Sequence, residues 1–461
     1  MISVVTGSNG AVFMCGDRLR AVEYRELGLA LALIVLCAGC AARQLMPTPN
    51  LYLDAKTNPF ASVPESRRTP DVVVPFATDR LPERDKTGAL HFGHRRGDRL
   101  IVGSCRVSFG EGLSWEQLVD DSTSSSRLFA LQLSLHDLHL GATYPETPFA
   151  LNLIRDAEYS RLAYEGEARR AREALHIGLR EEIERVDQHD VVLFIHGYNN
   201  SFEDAVYLTA QFWHFLGRRG IPIAYTWPAG RGGLFGYTAD TESGDFTIFH
   251  LKTFLRDLAA SPDVNKIHIL SHSRGTDVLM SALRELKLAT AAGGEDPKAA
   301  LKLGHLIMAA PDIDTQVFAQ RFLAEEINTM ADDLTIYLSG KDRALLLSKW
   351  LHSSVNRLGL LTPGKIPEGA DRLLGYYGNL HLINANVSTN FIGHDFFYTN
   401  PAVSSDLILL LKHGRDPGAE NGRPLRPIMP HFWSIDRAYP DVDKFLMILP
   451  KPHQAPKEVA P

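Results

Sequence analysis

The chain has 461 residues, of which 45% are hydrophobic and 22% are charged, so it is long and apolar enough to bury a large core. Its formal net charge is −6 at pH 7 and it contains no basic block, which excludes the electrostatic footprint of a nucleic-acid-binding protein. Only four cysteines are present, so a framework of disulfides is excluded as well.

The N-terminal region contains an apolar run over residues 27–36 that is too short to span a bilayer comfortably but fits the core of a signal peptide. Cys37 and Cys40 follow it. Out of context this spacing could indicate a redox or zinc site, but Leu36–Cys40 resembles the cleavage box of a bacterial lipoprotein. The resemblance implies that residues 1–39 are a signal peptide and that Cys40 becomes the lipidated first residue. An uncleaved anchor and a buried helix are the alternatives.

A lipidated Cys40 would attach the protein to a membrane. The uncharged Ala41 after it implies, by the same resemblance, an outer-membrane lipoprotein of the cell envelope that faces the periplasm. Residues 40–70 contain five prolines among scattered polar residues, which predicts an extended tether. Such a tether would hold the folded part of the chain away from the membrane surface.

Residues 71–185 are expected to form the first part of a sheet together with one helix. Apolar runs at Val72–Phe76 and Leu100–Gly103 predict two strands. From about Glu165 to Val186, apolar residues recur at helical spacing and predict an amphipathic helix packed on the sheet. The apolar face of this helix would consist of Ala168, Ala171, Leu175, Leu179 and Ile183.

A continuous apolar run over Asp190–Ile195 ends abruptly in His196, Gly197 and Tyr198. Continuous apolar runs are typical of parallel strands that are buried on both faces. The turn at Gly197 can leave the backbone N–H of Tyr198 pointing into a pocket, where it would serve as one donor of an oxyanion hole. His196 is interpreted as a residue that packs this loop rather than as an acid or base.

The next apolar run, Ile221–Pro228, predicts another strand, and the glycine-rich segment 229–237 follows it. These glycines lack the spacing of a dinucleotide-binding loop, and no acidic partner follows at the right distance, so a phosphate site is not expected. The segment is expected to be a mobile loop over the active site. Leu234, Phe235 and Tyr237 would either contact an acyl or aromatic group or pack within a surface loop.

A candidate nucleophile lies between a predicted strand and a predicted helix. The apolar run Lys266–Leu270 is followed by Ser-His-Ser-Arg-Gly at positions 271–275 and then by a helix-like segment. Small residues two positions either side of Ser273 permit the sharp turn that exposes a serine at the carboxyl end of a sheet. The N–H of Arg274 and the positive end of the helix would lie beneath its hydroxyl. This arrangement suits a nucleophile.

The loop at residues 195–198 and the serine turn at residues 271–275 together resemble the α/β-hydrolase superfamily, and the pattern is similar to a bacterial branch of esterase/lipase-like hydrolases. The resemblance covers roughly residues 70–400. It implies an α/β fold with a mostly parallel central sheet flanked by helices, and a catalytic core over residues 186–400. It also implies catalytic residues in the chain order Ser, Asp or Glu, His.

The catalytic acid is sought beyond the carboxyl ends of the strands that follow Ser273, because catalytic groups of open parallel sheets lie there. One apolar run after Ser273 ends before Asp312 and Asp314, and a second ends before Asp342. Most of the superfamily places the acid after the later strand, so Asp342 is the expected acid. Asp312 or Asp314 is the alternative, since some lipases use the earlier strand.

A last short strand, predicted over Leu380–Asn386, leads to His394, which follows a glycine and has aromatic neighbours that could hold its imidazole. His394 is therefore the expected general base. Residues 401–461 are expected to form a C-terminal strap with a frayed tail. The weaker candidates for the base are His381, His413, His431 and His453.

The chemistry predicted from these residues needs no cofactor and no metal. His394 would take the proton of Ser273 as the hydroxyl attacks a carbonyl group, and Asp342 would orient the imidazole. The N–H groups of Tyr198 and Arg274 would bind the oxyanion, and water would then release the acyl group.

The sequence thus predicts a serine hydrolase that acts on a small carboxylic ester or acyl substrate. A peptidase or an acyltransferase is one rival, because each would share the acyl-enzyme and differ in leaving group or acceptor. A non-catalytic envelope module on the same fold is the other rival. The presence of Ser273, Asp342 and His394 in register favours catalysis.

Overall fold

The computed structural model describes residues 43–53, 58–127, 129–147, 157–184, 188–352, 356–365, 370–387 and 389–440. The predicted signal peptide and Cys40 lie outside these residues, and so does the end of the chain from residue 441. None of the helices in the described ranges is both long enough and apolar enough to cross a membrane.

The strands of the described residues join into one sheet. They are β1 (Asp71–Arg84), β2 (Leu90–Phe109), β3 (Leu133–Thr143), β4 (Val191–Ile195), β5 (Ile221–Thr226), β6 (Ile267–His272), β7 (Leu303–Ala309), β8 (Ala331–Leu338), β9 (Leu380–Ala385), β10 (Arg426–Met429) and β11 (Phe432–Ile435). Their spatial order is β10-β11-β9-β8-β7-β6-β4-β5-β1-β2-β3. All neighbours from β11 to β1 pair in parallel, whereas β2, β3 and β10 add antiparallel edges. The predicted mostly parallel sheet is confirmed.

Helices flank the sheet and connect its parallel strands. Those in the described residues are α1 (Trp115–Thr123), α2 (Ala157–Ile183), α3 (Phe202–Phe215), α4 (Gly233–Ala259), α5 (Gly275–Ala292), α6 (Pro297–Leu301), α7 (Thr315–Phe318), α8 (Arg343–Leu351), α9 (Ala370–Tyr376), α10 (Phe396–Thr399) and α11 (Pro401–His413). Parallel strands need such crossover connections, because a short hairpin can join only antiparallel neighbours.

The central strands are apolar throughout because their side chains point alternately into two hydrophobic cores. In β4, Phe194 faces the core that contains residues of α3 and α11, whereas Leu193 and Ile195 face the core that contains residues of α2, α4 and α5. In β6, Leu270 and Ile269 divide between the two cores in the same way. The sheet is therefore covered on both faces, and its carboxyl edge remains available for a site.

The strands predicted near residues 72 and 100 are confirmed, although the structure makes them longer. β1 has 14 residues and β2 has 20, and the two pair as an antiparallel ribbon. The predicted amphipathic helix is also confirmed and begins earlier, at Ala157. The residues of its predicted apolar face that are buried are Ala171, Leu175, Leu179 and Ile183.

The prediction of an extended tether over residues 40–70 is wrong for the part that the structure describes. The Leu133 N–H donates to the Arg43 carbonyl at 2.7 Å, and the Leu45 N–H donates to the Leu131 carbonyl at 2.8 Å. The described part of the segment includes two short 3-10 helices, Asn50–Tyr52 and Glu65–Arg67, and apolar side chains between the prolines pack against the rest of the domain. The buried residues of this segment include Leu45, Met46, Tyr52, Phe60 and Val63.

The prediction of a C-terminal strap is wrong for residues 401–440. α11 packs in a hydrophobic core, and β11 extends the central sheet by pairing in parallel with β9. Phe432 and Ile435 of β11 are fully buried. Asp406 of α11 pairs with Arg423 at 2.8 Å, and both side chains are fully buried. The strand was missed because four residues are too few to show an alternating pattern. The predicted frayed tail lies outside the described residues.

Candidate active site

The candidate nucleophile Ser273 lies in a sharp turn between β6 and α5. Its φ is +53°, a left-handed conformation that costs a residue other than glycine about 1–3 kcal/mol. A Cβ atom on Gly275 would lie 2.2 Å from the His196 carbonyl oxygen, and one on Gly197 would lie 2.6 Å from the Ser273 Cβ. Glycine at both positions therefore lets the serine turn and the loop after β4 approach each other closely.

The carboxylate of Asp342 has two partners. Its Oδ2 accepts a hydrogen bond from His394 Nδ1 at 2.6 Å, and its Oδ1 accepts one from the Leu345 N–H at 3.0 Å. The second bond caps the N-terminus of α8, so the helix holds the carboxylate in place. Asp342 is fully buried, and this burial raises its pKa although His394 opposes the shift.

The imidazole of His394 is fixed from several sides. Its ring centroid lies 4.7 Å from that of His272, whose Nε2 is 3.1 Å from the His394 carbonyl oxygen. Burial by itself would lower the pKa of His394, but the Asp342 carboxylate beside it reverses the effect and raises that pKa. Since Nδ1 donates its proton to Asp342, Nε2 is the nitrogen that can accept another proton.

Within the described residues, neither of the alternative acids forms a hydrogen bond with His394. Both oxygens of Asp312 are engaged elsewhere, with Tyr237 and Ser348, as described below. Asp314 caps α7 by accepting the Gln316 N–H at 2.9 Å. Of the other histidines, His381 lies in β9, His413 ends α11 and His431 precedes β11, while His453 lies outside the described residues.

Hydrogen bonds hold the residues on both sides of Tyr198 in the loop after β4. The Gly197 N–H donates to Asn200 Oδ1 at 3.2 Å, and the Asn199 N–H donates to Asp240 Oδ2 at 3.1 Å. Within the described part of the chain, the N–H groups of Tyr198 and Arg274 donate to no protein acceptor. They are the two donors that the sequence predicts for an oxyanion hole.

Arg80 of β1 holds the same loop through hydrogen bonds from its guanidinium group. Its guanidinium donates to the carbonyl oxygens of Asn200 at 2.9 Å and Ala229 at 2.8 Å, and to Thr226 Oγ1 at 2.8 Å. Burial lowers the pKa of Arg80 to about 10, so it remains charged at neutral pH. Arg80 could not be predicted as a site residue, because nothing in its local sequence signals a contact with a residue 120 positions away.

His196 packs the loop, as the sequence analysis proposed. Its ring stacks on Trp227 with centroids 5.1 Å apart and planes 5° apart, and the Trp227 indole N–H donates to the His196 carbonyl at 2.8 Å. Burial and the neighbouring Arg80 lower the pKa of His196 to about 3. The ring is therefore neutral at physiological pH and serves as a packing group.

Ser273 and His394 line one cavity of about 140 Å³. A cavity of about 150 Å³ in another protein accepts benzene, so this one suits a small apolar group. Among the described residues, no group of three or more His, Cys, Asp or Glu could hold a metal ion. The apolar and aromatic residues that line the cavity include Leu208, Leu345, Leu347, Leu351, Ile392 and Tyr398.

The predicted mobile loop over residues 229–237 is corrected in part, because α4 begins at Gly233. Tyr237, in the first turns of this helix, lines the cavity, and its ring centroid lies 5.1 Å from that of Tyr198. The side chains of Leu234 and Phe235 lie outside the described part of the structure. The beginning of α4 thus forms one wall of the candidate site.

Comparison with known proteins assigns the chain to a family. Residues 171–411 match a family described as alpha/beta hydrolase of unknown function (DUF900). The chain belongs to this family. Among solved structures it is similar to Est1E from Butyrivibrio proteoclasticus, solved with ferulic acid bound, at 13% identity and a TM-score of 0.27. That similarity covers 48% of this chain and 89% of the other. No curated protein matches the chain.

Proposed function

We propose that this protein is a serine hydrolase that cleaves small carboxylic esters through an acyl-enzyme on Ser273. The observation that carries the proposal is the strained Ser273 turn in the same cavity as His394, whose Nδ1 is held by the buried Asp342 at 2.6 Å. A serine in this conformation costs stability, and such strain is typical of functional sites. The family supports hydrolase chemistry, and the triad and its substrate are our assignment.

The proposed reaction begins with attack of Ser273 Oγ on the ester carbonyl carbon while His394 Nε2 takes the hydroxyl proton. Asp342 keeps the imidazole in the required tautomer and stabilises the imidazolium. The N–H groups of Tyr198 and Arg274 bind the oxyanion, and each such donor contributes roughly 3 kcal/mol to transition-state stabilisation. The imidazolium protonates the departing alcohol, and water then hydrolyses the acyl-enzyme by the same steps in reverse.

The cavity fits a short acyl or aryl group better than a long lipid chain. Its volume of about 140 Å³ suits a group of benzene size, and most of its wall is apolar. Transfer to an acceptor other than water would use the same acyl-enzyme, so product analysis separates hydrolase from acyltransferase.

Attachment to the cell envelope is a second part of the proposal and is based on the sequence of residues 1–41 alone. A diacylglyceryl group on Cys40 with a further acyl chain would give stable anchoring, which needs at least two chains. Because Arg43 and Leu45 already pair with residues 131 and 133, the lipid would lie only a few residues from the folded domain. The domain would then lie close to the membrane surface.

The decisive test of the function is labelling of the purified protein with a fluorophosphonate, followed by turnover of a panel of 4-nitrophenyl esters of increasing acyl length. We expect labelling of the wild type, no labelling of Ser273→Ala, and turnover that is greatest for short acyl groups. A wild-type protein that is folded but neither labels nor turns over any ester would contradict the proposal and favour the non-catalytic module.

The anchor is tested by mass spectrometry of the mature N-terminus from a bacterial host with lipoprotein processing. Cleavage before Cys40 and a diacylglyceryl mass on it are expected, and Cys40→Ser should accumulate as the unprocessed precursor. An unmodified Cys40 would remove the envelope assignment and leave the hydrolase assignment unaffected.

A further inference from the structure

Three polar side chains from separate elements meet in the wall of the cavity. Tyr237 of α4 donates its hydroxyl proton to Asp312 Oδ2 at 2.7 Å, and Ser348 of α8 donates its own to Asp312 Oδ1 at 2.6 Å. The two hydroxyl oxygens are 3.1 Å apart. All three residues line the cavity, and the proposed triad uses none of them. We call Tyr237, Asp312 and Ser348 the acceptor cluster.

The cluster can only accept hydrogen bonds from a ligand, because the hydroxyl protons of Tyr237 and Ser348 are both donated to Asp312. Asp312 stands next to Arg357, whose Nε lies 3.3 Å from Oδ1. Burial by itself would raise the pKa of Asp312, but Arg357 and the two hydroxyl donors outweigh it and hold that pKa below its ordinary value. The carboxylate is therefore ionised and accepts both hydroxyl protons. A hydroxyl has one proton and two acceptor sites, so the atoms left for a ligand are acceptors only.

The negative charge of Asp312 is balanced by Arg357. Arg357 is only 4% exposed, so its guanidinium acts on the carboxylate and not on solvent. Arg357 already offsets the negative charge of Asp312. A bound cation would therefore be a buried charge without a full counter-charge, so the cluster suits a neutral hydrogen-bond donor better. The neutral donor most compatible with an ester substrate is a hydroxyl group.

The cluster also lies beside the proposed nucleophile. The Asp312 N–H donates to the Ser273 carbonyl at 3.3 Å, so the two residues are direct neighbours. Most of the surrounding surface is apolar, formed by residues such as Leu345, Leu351 and Ile392, and the other polar lining includes Asn390 and Asp395, which bond to each other. A hydroxyl on a bound ester would lose its water partners in such a cavity and would need a protein acceptor in their place.

We propose that the acceptor cluster binds a hydroxyl group of the substrate, so that the enzyme prefers hydroxylated small esters to isosteric esters that lack the hydroxyl. This inference rests on the proposed esterase function and specifies its substrate class. The hydroxyl can belong to the acyl part or to the alcohol part of the ester, because the cluster adjoins Ser273, where both parts meet. One such hydrogen bond is expected to give roughly a tenfold preference in kcat/KM.

The test compares isosteric ester pairs. For the acyl part, 4-nitrophenyl 3-hydroxybutanoate is compared with 4-nitrophenyl 3-methylbutanoate. For the alcohol part, 2-hydroxyethyl butanoate is compared with propyl butanoate. We expect kcat/KM to favour the hydroxylated member of at least one pair about tenfold, mainly through KM. The pair that shows the preference identifies which part of the substrate faces the cluster.

Variants decide whether the cluster causes the preference. Tyr237→Phe and Ser348→Ala each remove one acceptor oxygen and should bring the ratio of the two kcat/KM values towards one. Tyr398→Phe is the matched control, because it removes a hydroxyl from the same cavity outside the cluster, and it should keep the wild-type ratio. Fluorophosphonate labelling at the wild-type rate would show that the Ser273 site is intact in each variant.

Equal kcat/KM values within both pairs for the labelled wild type would overturn this inference and leave the proposed function standing. A preference that persists in both Tyr237→Phe and Ser348→Ala would overturn it as well. Absence of both labelling and turnover would overturn the proposed function together with the inference.

Discussion

The Asp342–His394 pair has a close counterpart elsewhere in the molecule. In the counterpart, His250 Nδ1 of α4 lies 2.9 Å from Asp79 Oδ2 of β1, and His250 Nε2 lies 2.8 Å from the hydroxyl of Thr147. Both aspartates are fully buried, and both histidines turn the same ring nitrogen to the carboxylate. A buried aspartate paired with a histidine therefore occurs in two places, with the Thr147 hydroxyl in contact with His250 in one and Ser273 lining the same cavity as His394 in the other.

The Asp342–His394 and Asp79–His250 pairs differ in their surroundings. His394 lies in a loop at the cavity that Ser273 also lines, whereas Asp79, His250 and Thr147 are absent from that cavity. Ser273 sits in a strained turn before a helix, and Thr147 is an ordinary loop residue after β3. A buried aspartate–histidine pair near a hydroxyl therefore does not by itself identify a nucleophile. Our proposal assigns that role to Ser273 and not to Thr147, because Ser273 combines access to a cavity, a strained turn and nearby backbone N–H groups without a protein acceptor.

The largest expected effect separates Asp342 from the two alternative acids, Asp312 and Asp314. Asp342→Asn should lower kcat by roughly 10⁴, because the imidazole then loses the partner that fixes its tautomer. Asp312→Asn and Asp314→Asn should each lower it far less. Steady-state ester kinetics on variants shown by circular dichroism to be folded would measure this, and a reversed ranking would move the acid to the loop after β7.

The next effect concerns support of the loop after β4, which carries the proposed oxyanion donor Tyr198 and is called the oxyanion loop below. Lysine cannot reach all the carbonyl groups that Arg80 binds, so Arg80→Lys should shift the loop and lower kcat about a hundredfold, as expected for a misplaced oxyanion donor. Arg423→Lys is the matched control, since Arg423 is equally buried but pairs with Asp406 away from the cavity. It should lower the melting temperature and keep kcat within a few-fold of wild type. Equal kcat values for the two variants would contradict the role given to Arg80.

A smaller effect is expected at the counterpart pair. Asp79→Asn weakens a buried, charge-assisted hydrogen bond to His250 and should cost about 1–3 kcal/mol of unfolding free energy. Ester turnover should stay within a few-fold of wild type. Urea denaturation and kinetics on the same preparation would show this, and a loss of turnover as large as that of Asp342→Asn would mean that both pairs take part in catalysis.

The smallest expected effect is a shift in pH dependence. His394 must be neutral to accept a proton, so kcat/KM should rise with pH through a pKa above the ordinary 6.5. Neutralising a nearby carboxylate removes attraction for the imidazolium and lowers that pKa, so Asp312→Asn should move the rise to lower pH. A rise that moves to higher pH, or one with a wild-type midpoint below 6.5, would contradict the environment assigned to His394.

Much of this site could be predicted from local sequence. The strand, turn and helix around Ser273 span consecutive residues, and chain order then pointed to Asp342 and His394. Arg80 and Asp240 could not be predicted, because each reaches the oxyanion loop through contacts with residues 41 or more positions away. His272 was missed for a similar reason, since its contact with His394 joins the end of β6 to a loop 122 residues later in the chain.

The fold could likewise be predicted in some regions and not in others. Buried parallel strands carry continuous apolar runs, so β4 to β9 were predicted from the sequence. The segment over residues 43–70 has apolar residues without helical or strand periodicity, and its prolines suggested a tether. Its packing depends on partners far along the chain, as when Tyr52 donates to the Phe215 carbonyl at 2.5 Å.

The most direct test of the central claim is to find the residue that a fluorophosphonate modifies, by peptide mass spectrometry of the labelled wild type, Ser273→Ala and Thr147→Ala. We predict an adduct on Ser273 in the wild type and in Thr147→Ala, and no adduct in Ser273→Ala. An adduct on another residue, or one that persists without the Ser273 hydroxyl, would contradict the assignment of Ser273 as the nucleophile.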